Sequence, residues 1–165
     1  MPWPPEYQRA SLDFEKFMVV ARDAAGLATT NMAWNMVVGV LLAFRRRMSV
    51  DQVLRLADQL PPVVRALFLE HWNPCEPVVP VGTREVLLEE VRSVRPDHNF
   101  ATASALESVG QALRAVLPDD AFTRLLNTLP PDLRGYWSTD LPASLSRSTP
   151  PDEAKMNTLD SQGEQ

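Results

Sequence analysis

Cysteine is almost missing from this chain, glycine and histidine are scarce, and neither a basic excess nor a long apolar run is present. Each shortage removes a class of protein. One cysteine, Cys75, in 165 residues permits no internal disulfide and no multi-cysteine zinc site. A lone thiol suits a reducing compartment, so the expected location is the cytoplasm. Six scattered glycines cannot be written as a phosphate-cradling loop, which leaves nucleotide hydrolysis without visible machinery. Sixteen Lys and Arg against twenty-one Asp and Glu give a net charge of −5, a poor start for holding nucleic acid phosphates. The longest apolar run, Met32 to Phe44 broken only by Asn35, is shorter than the roughly 18 to 20 residues of a spanning helix. No membrane span is expected, and the first residues lack the basic run and apolar stretch of a secretory signal.

Proline is abundant, with fifteen residues. Three of them lie in Met1-Pro2-Trp3-Pro4-Pro5-Glu6-Tyr7, which predicts an extended Pro-rich arm over 1–12. Trp3 and Tyr7 there either fold back onto the domain or are offered to a partner. Two more pairs mark a repeat. Leu60-Pro61-Pro62-Val63-Val64-Arg65-Ala66-Leu67-Phe68 and Leu129-Pro130-Pro131-Asp132-Leu133-Arg134-Gly135-Tyr136-Trp137 share the Leu-Pro-Pro start, the Arg and a closing large ring. Upstream, Val38-Gly39 answers Val109-Gly110, with the slip in register at Arg45-Arg46-Arg47. The pattern predicts two sequence-related units, over 13–72 and 83–138, joined by a Pro-rich linker over 73–82.

Periodicity and punctuation make every element helical. Phe14, Phe17, Met18 and Ala21 recur at helical spacing with Asp13 as the expected N-cap, and Gly26 as the stop. A second helix, Thr30 to Arg47, is apolar on so many sides that neighbours must surround it. Ser49 with Gln52 forms a capping box ahead of Val53, Leu56, Ala57 and Leu60. Pro61 and Pro62 end that helix and open a short fourth one. In the second unit Thr83 caps a helix, another runs from about Ala101 to Val116, and Pro118 sits in the first turn of a third before Pro130 and Pro131 repeat the break. The expected fold is all-α: two four-helix units packed into one bundle-like body. The residues 139–165, rich in Ser, Thr and Pro and net acidic, read as a disordered tail.

This paired pattern resembles the prokaryotic domain-of-unknown-function family numbered 2267, over roughly Phe14 to Trp137. The resemblance implies an all-helical, twice-repeated cytoplasmic protein. It carries no established activity, cofactor or catalytic residue.

The reactive residues are few. His71 and Cys75 stand four apart, but Pro74 between them argues that the helix ends before they can share a face, and only His98 remains to complete a metal site. No metal, cofactor or catalytic set is assigned. Ser49 and Ser104 lie in no nucleophile-elbow pattern. Arg45, Arg46 and Arg47 form the clearest charge feature; they either favour the negative end of their helix dipole or present an anion or acidic-partner site. Gly39 and Gly110, inside the two longest helices, need close packing to offset their cost of about 1 kcal/mol relative to alanine. Either the two helices cross at these glycines, or each glycine accommodates a bulky side chain of its own unit. Met18, Met32, Met36 and Met48 read as core filling, or as the lining of an apolar groove.

Repetition of a packing motif without a repeated polar set points to a non-enzymatic helical module for protein interaction or scaffolding, with a protein partner and with self-association as a further expectation. The alternative is a binding protein for a small apolar or anionic ligand in the groove between the units. An enzyme using His71, Cys75 or His98 is the third reading.

Overall fold

The computed structural model describes residues 2–138; the expected tail over 139–165 lies outside the described residues. Those residues form helices α1 Pro5–Gln8, α2 Ala10–Ala24, α3 Thr30–Arg45, α4 Val50–Gln59, α5 Pro62–Leu69, α6 Arg84–Ser93, α7 Ala105–Val116, α8 Asp119–Thr128 and α9 Pro131–Ser138. A single 3₁₀ turn, Pro96–His98, lies between α6 and α7, and the described residues contain no strand.

Most boundaries follow from local chemistry. Gly26 takes φ +68° after α2, so that its N–H reaches Asp23 O (3.0 Å) and the Leu27 N–H reaches Arg22 O (2.9 Å), closing the helix with a left-handed cap. Thr29 accepts the Met32 N–H at the start of α3, and Thr83 accepts the Val86 N–H at the start of α6. Ser49 and Gln52 exchange both bonds of the capping box ahead of α4.

Four boundaries differ from expectation: α3 ends at Arg45 and not Arg47, Pro118 with ψ 152° is the N-cap of α8 and not part of its first turn, and the N-terminal arm and the start of α7 differ as well. The N-terminal arm is helical from Pro5, because a proline at the first helical position has φ preset for that turn. Only Arg9 (φ −103°, ψ 7°) interrupts α1 and α2, so Asp13 sits in the first turn of α2 instead of capping it. α7 begins at Ala105 and not near Ala101, because Asn99 folds the preceding loop onto the end of α6. Its side chain donates to Val91 O (2.7 Å) and Val94 O (2.8 Å) and accepts the Ala101 N–H (3.0 Å).

The repeated Arg of the Leu-Pro-Pro segments has a definite job. Prolines at 61 and 62 have no N–H to give the carbonyls of Ala57 and Asp58, four residues back. Arg65 replaces the missing donors: Nε reaches Ala57 O (2.7 Å), and Nη2 reaches Asp58 O (3.4 Å) and Leu60 O (3.1 Å). At the second diproline Arg134 reaches one of the two corresponding carbonyls, from Nε to Leu126 O (2.9 Å), and from Nη2 reaches Leu129 O (3.2 Å).

The core is a single apolar cluster running through both halves of the chain. α3 packs against α2, α5, α6 and α7, which explains why apolar residues surround it. The most extensive helix contact joins the first half to the second, α2 against α7, followed by α3 against α6. α4 and α8 also meet. The first long helix of each half thus leans on the long helix of the other, and the halves interleave. At the centre Trp137, 1% exposed, stacks on Phe44 with ring centroids 4.6 Å apart.

Candidate functional site

Arg45, at the end of α3, turns toward α5, while Arg46 and Arg47 just after it converge on Glu90 of α6. Arg45 is buried and its Nη1 donates to Phe68 O (2.6 Å) and Glu70 O (3.1 Å), closing the end of α5. Burial lowers the pKa of its guanidinium from the ordinary value, and the charge of Glu76 acts in the opposite sense. Arg47 is also buried, donating to Ala43 O (2.7 Å) and Val81 O (3.0 Å) and pairing with Glu90 at 2.8 Å. Arg46, about half-exposed, reaches the other oxygen of Glu90 at 2.6 Å. Arg45 and Arg46 border a small pocket of about 160 Å³ with Trp72 and Glu76. The cluster pins α3 to α5, to α6 and to the linker, with every nitrogen of the Arg47 guanidinium and one each of Arg45 and Arg46 engaged by carbonyls or the Glu90 carboxylate.

Gly39 and Gly110 face different neighbours. The nearest atoms to a Cβ at Gly39 belong to Val91 of α6, and those at Gly110 belong to Trp137 of α9. The first contact crosses between halves and reaches backbone, while the second stays within its half. Neither glycine has the other among its nearest atoms.

α5 ends at Leu69, His71 adopts φ +51° with its side chain almost fully exposed, and Cys75 lies exposed in a turn whose N–H is held by Asn73 Oδ1 (3.0 Å). His71 and Cys75 therefore do not share a helical face. His98 contributes its backbone carbonyl, which accepts from the buried Asn35 side chain at 2.9 Å.

Sequence periodicity did not single out the surface between α2 and α3. Trp34, in the long apolar helix α3, is 41% exposed. Phe14 meets its ring edge-on at 6.1 Å and in turn stacks near Phe17, which is fully buried. Around this pair lies an open depression of about 550 Å³, bordered by Ser11, Glu15, Met18, Val19 and Arg22 of α2 and by Thr30 and Asn31 of α3. The sequence signals were Met18, one of the candidate groove methionines, and the pair of polar residues Thr30 and Asn31, one turn ahead of Trp34 on the same side. Among the other methionines of the candidate groove, Met36 and Met48 are buried in the core.

A second concavity, of about 380 Å³, lies where residues of α1, α2 and the α4–α5 turn meet those of the α7–α8 turn. Arg9, Arg65 and Arg124 line it beside Glu6, Asp13 and Asp58. No helix of the described residues is long and apolar enough to cross a membrane.

A family described as an uncharacterized conserved protein, DUF2267, matches residues 14–136 of the chain. No curated protein matches it.

Proposed function

The chain belongs to the DUF2267 family, and from that premise and the surfaces just described we propose that it is a helical interaction module that binds another protein, without a reaction of its own. The observation that carries this reading is Trp34. A tryptophan on the side of a central helix, braced edge-on by Phe14 above the core, next to Met18 and Val19 and rimmed by Ser11, Glu15, Arg22, Thr30 and Asn31, has the composition of a binding hot spot: a rigid aromatic anchor inside a polar rim. Holding that ring 41% in water forgoes apolar burial that a partner would supply. The test is a photo-reactive phenylalanine analogue at position 34 in the native host. Covalent capture of one defined protein there, and not at an exposed control site on α8, supports the reading; equal or absent capture overturns it.

The concavity between the two halves favours a second reading, a small anionic ligand held by Arg9 and Arg124, which line it from opposite halves of the chain. Native mass spectrometry of the protein purified from its host separates the two readings. A stoichiometric bound molecule, released by exchanging Arg9 and Arg124 for glutamine, would replace the first with the second.

A further inference from the structure

We propose that the face built by α2 and Trp34 docks a second copy of this chain, with α2 lying antiparallel on α2 of the other molecule. The inference rests on the interaction reading above and names its partner. A twofold contact brings one surface against itself, so the surface must be its own complement. The charges of α2 meet that condition. Glu15 and Arg22 are two turns apart on the same side of the helix, about 10 Å along its axis, and lie at equal distances from the midpoint between Met18 and Val19. A twofold axis through that midpoint places the Glu15 carboxylate of each copy against Arg22 of the other. The two resulting ion pairs are equivalent and flank an apolar centre.

Both partners are available for it. Glu15 is exposed, and the Arg22 side chain keeps 29% of its surface in water. Arg22 already directs Nε and Nη2 to Asp23 Oδ1, each at 2.7 Å, which fixes the guanidinium and leaves Nη1 for a second carboxylate. Between the charges lie Met18 and Val19, and just beyond Glu15 stands the Phe14–Trp34 pair, all bordering the open depression of about 550 Å³ that side chains of the second copy would fill. Ser11 and Asn31 at the margin are short enough to let a helix approach. A partner of unrelated sequence would require complementary charges, but it would not require this face to be complementary to itself.

Sedimentation velocity on the full chain tests the proposal. The wild type is expected to form a dimer with rising concentration, more weakly at high salt. Glu15→Arg or Arg22→Glu alone places like charges together at both contacts and should weaken association by about tenfold or more. A one-to-one mixture of the two variants restores opposite charges at both contacts and should form the mixed dimer, which also shows that each variant is folded. A wild type that stays monomeric, a dimer that neither variant weakens, or a mixture that does not recover would each overturn the proposal. The capture experiment at position 34 separates its failure from that of the broader reading. A monomeric wild type with a different protein captured there removes only the second copy as occupant, whereas a monomeric wild type with no capture removes both.

Discussion

At Gly39 a Cβ would stand 2.6 Å from the carbonyl oxygen of Val91, and at Gly110 it would stand 2.7 Å from the Cα of Trp137. Both obstacles are backbone, which cannot swing aside as the end of a side chain can, so Gly39→Ala and Gly110→Ala should separate α3 from α6 and α7 from α9. Overpacking costs about 1–3 kcal/mol, and the gain in helix propensity offsets about 1 kcal/mol of it; with backbone as the obstacle the cost falls in the upper part of that range, leaving each variant less stable by up to about 2 kcal/mol in urea unfolding. Gly135, also helical, meets no atom within 4 Å of its Cβ position and is exposed. Gly135→Ala should therefore stabilise by about 0.5–1 kcal/mol, and the opposite signs distinguish contact from propensity. The need for close approach at Gly39 and Gly110 was legible in the sequence, since glycine inside an apolar helix costs stability without it. Which helix approaches was not, because the matched Val-Gly pairs face Val91 of the other half in one case and Trp137 of the same half in the other. The arginine cluster was likewise legible as charge at a helix end, but not as side chains reaching Phe68 O, Glu70 O, Val81 O and Glu90, since those partners lie far along the chain.

Among the elements, the diproline breaks show how a helix can stop abruptly without losing its last hydrogen bonds. Ending α4 at Pro61 and Pro62 strips donors from two carbonyls, and Arg65 gives them back from the first turn of α5. Arg134 serves the end of α8 by the same route. Arg65→Ala and Arg134→Ala should each cost about 1–3 kcal/mol, as carbonyls of the last turn lose a charged donor. Arg65→Lys should recover only part of that loss, because one ammonium cannot span Ala57 O, Asp58 O and Leu60 O as the planar fork does. Urea midpoints check both claims, and a lysine variant as stable as the wild type would refute the fork argument. The Leu-Pro-Pro and Arg pattern was visible as repetition, and the helix stops were readable from proline alone. The capping role was hidden because the side chain acts backwards across the break, where periodicity carries no information. Polar capping fared better: Ser49 with Gln52 and the Thr83 cap depend on neighbours three residues away and were read directly.

For the whole molecule, an apolar stripe states that a helix is covered but not by what. That is why the all-helical body was legible while the exchange of partners between halves was not. α7 leans chiefly on α2, and α3 on α6, so each half leaves a long helix uncovered when the other is removed. Leu106, Val109 and Leu113 of α7 are fully buried in the intact chain, as are Met36, Val40 and Phe44 of α3. A segment spanning 83–138 would be near the lower size at which a single core is stable, and here part of that core belongs to the other half. Expressed alone, the segments 2–72 and 83–138 should each lack a cooperative thermal transition. Mixed in equal amounts they should recover helical circular dichroism and a single transition, because the contacts that order α2 and α7 form only when both are present. A cooperative transition for 83–138 by itself would mean that α7, α8 and α9 suffice as a core and that the contact with α2 is added to a folded unit. The same experiment bears on the proposed dimer. α2 then has two duties on opposite sides, with Phe17 and Ala21 turned inward to the core and Glu15 and Arg22 turned outward, so Glu15→Arg should weaken association without preventing the mixed segments from folding.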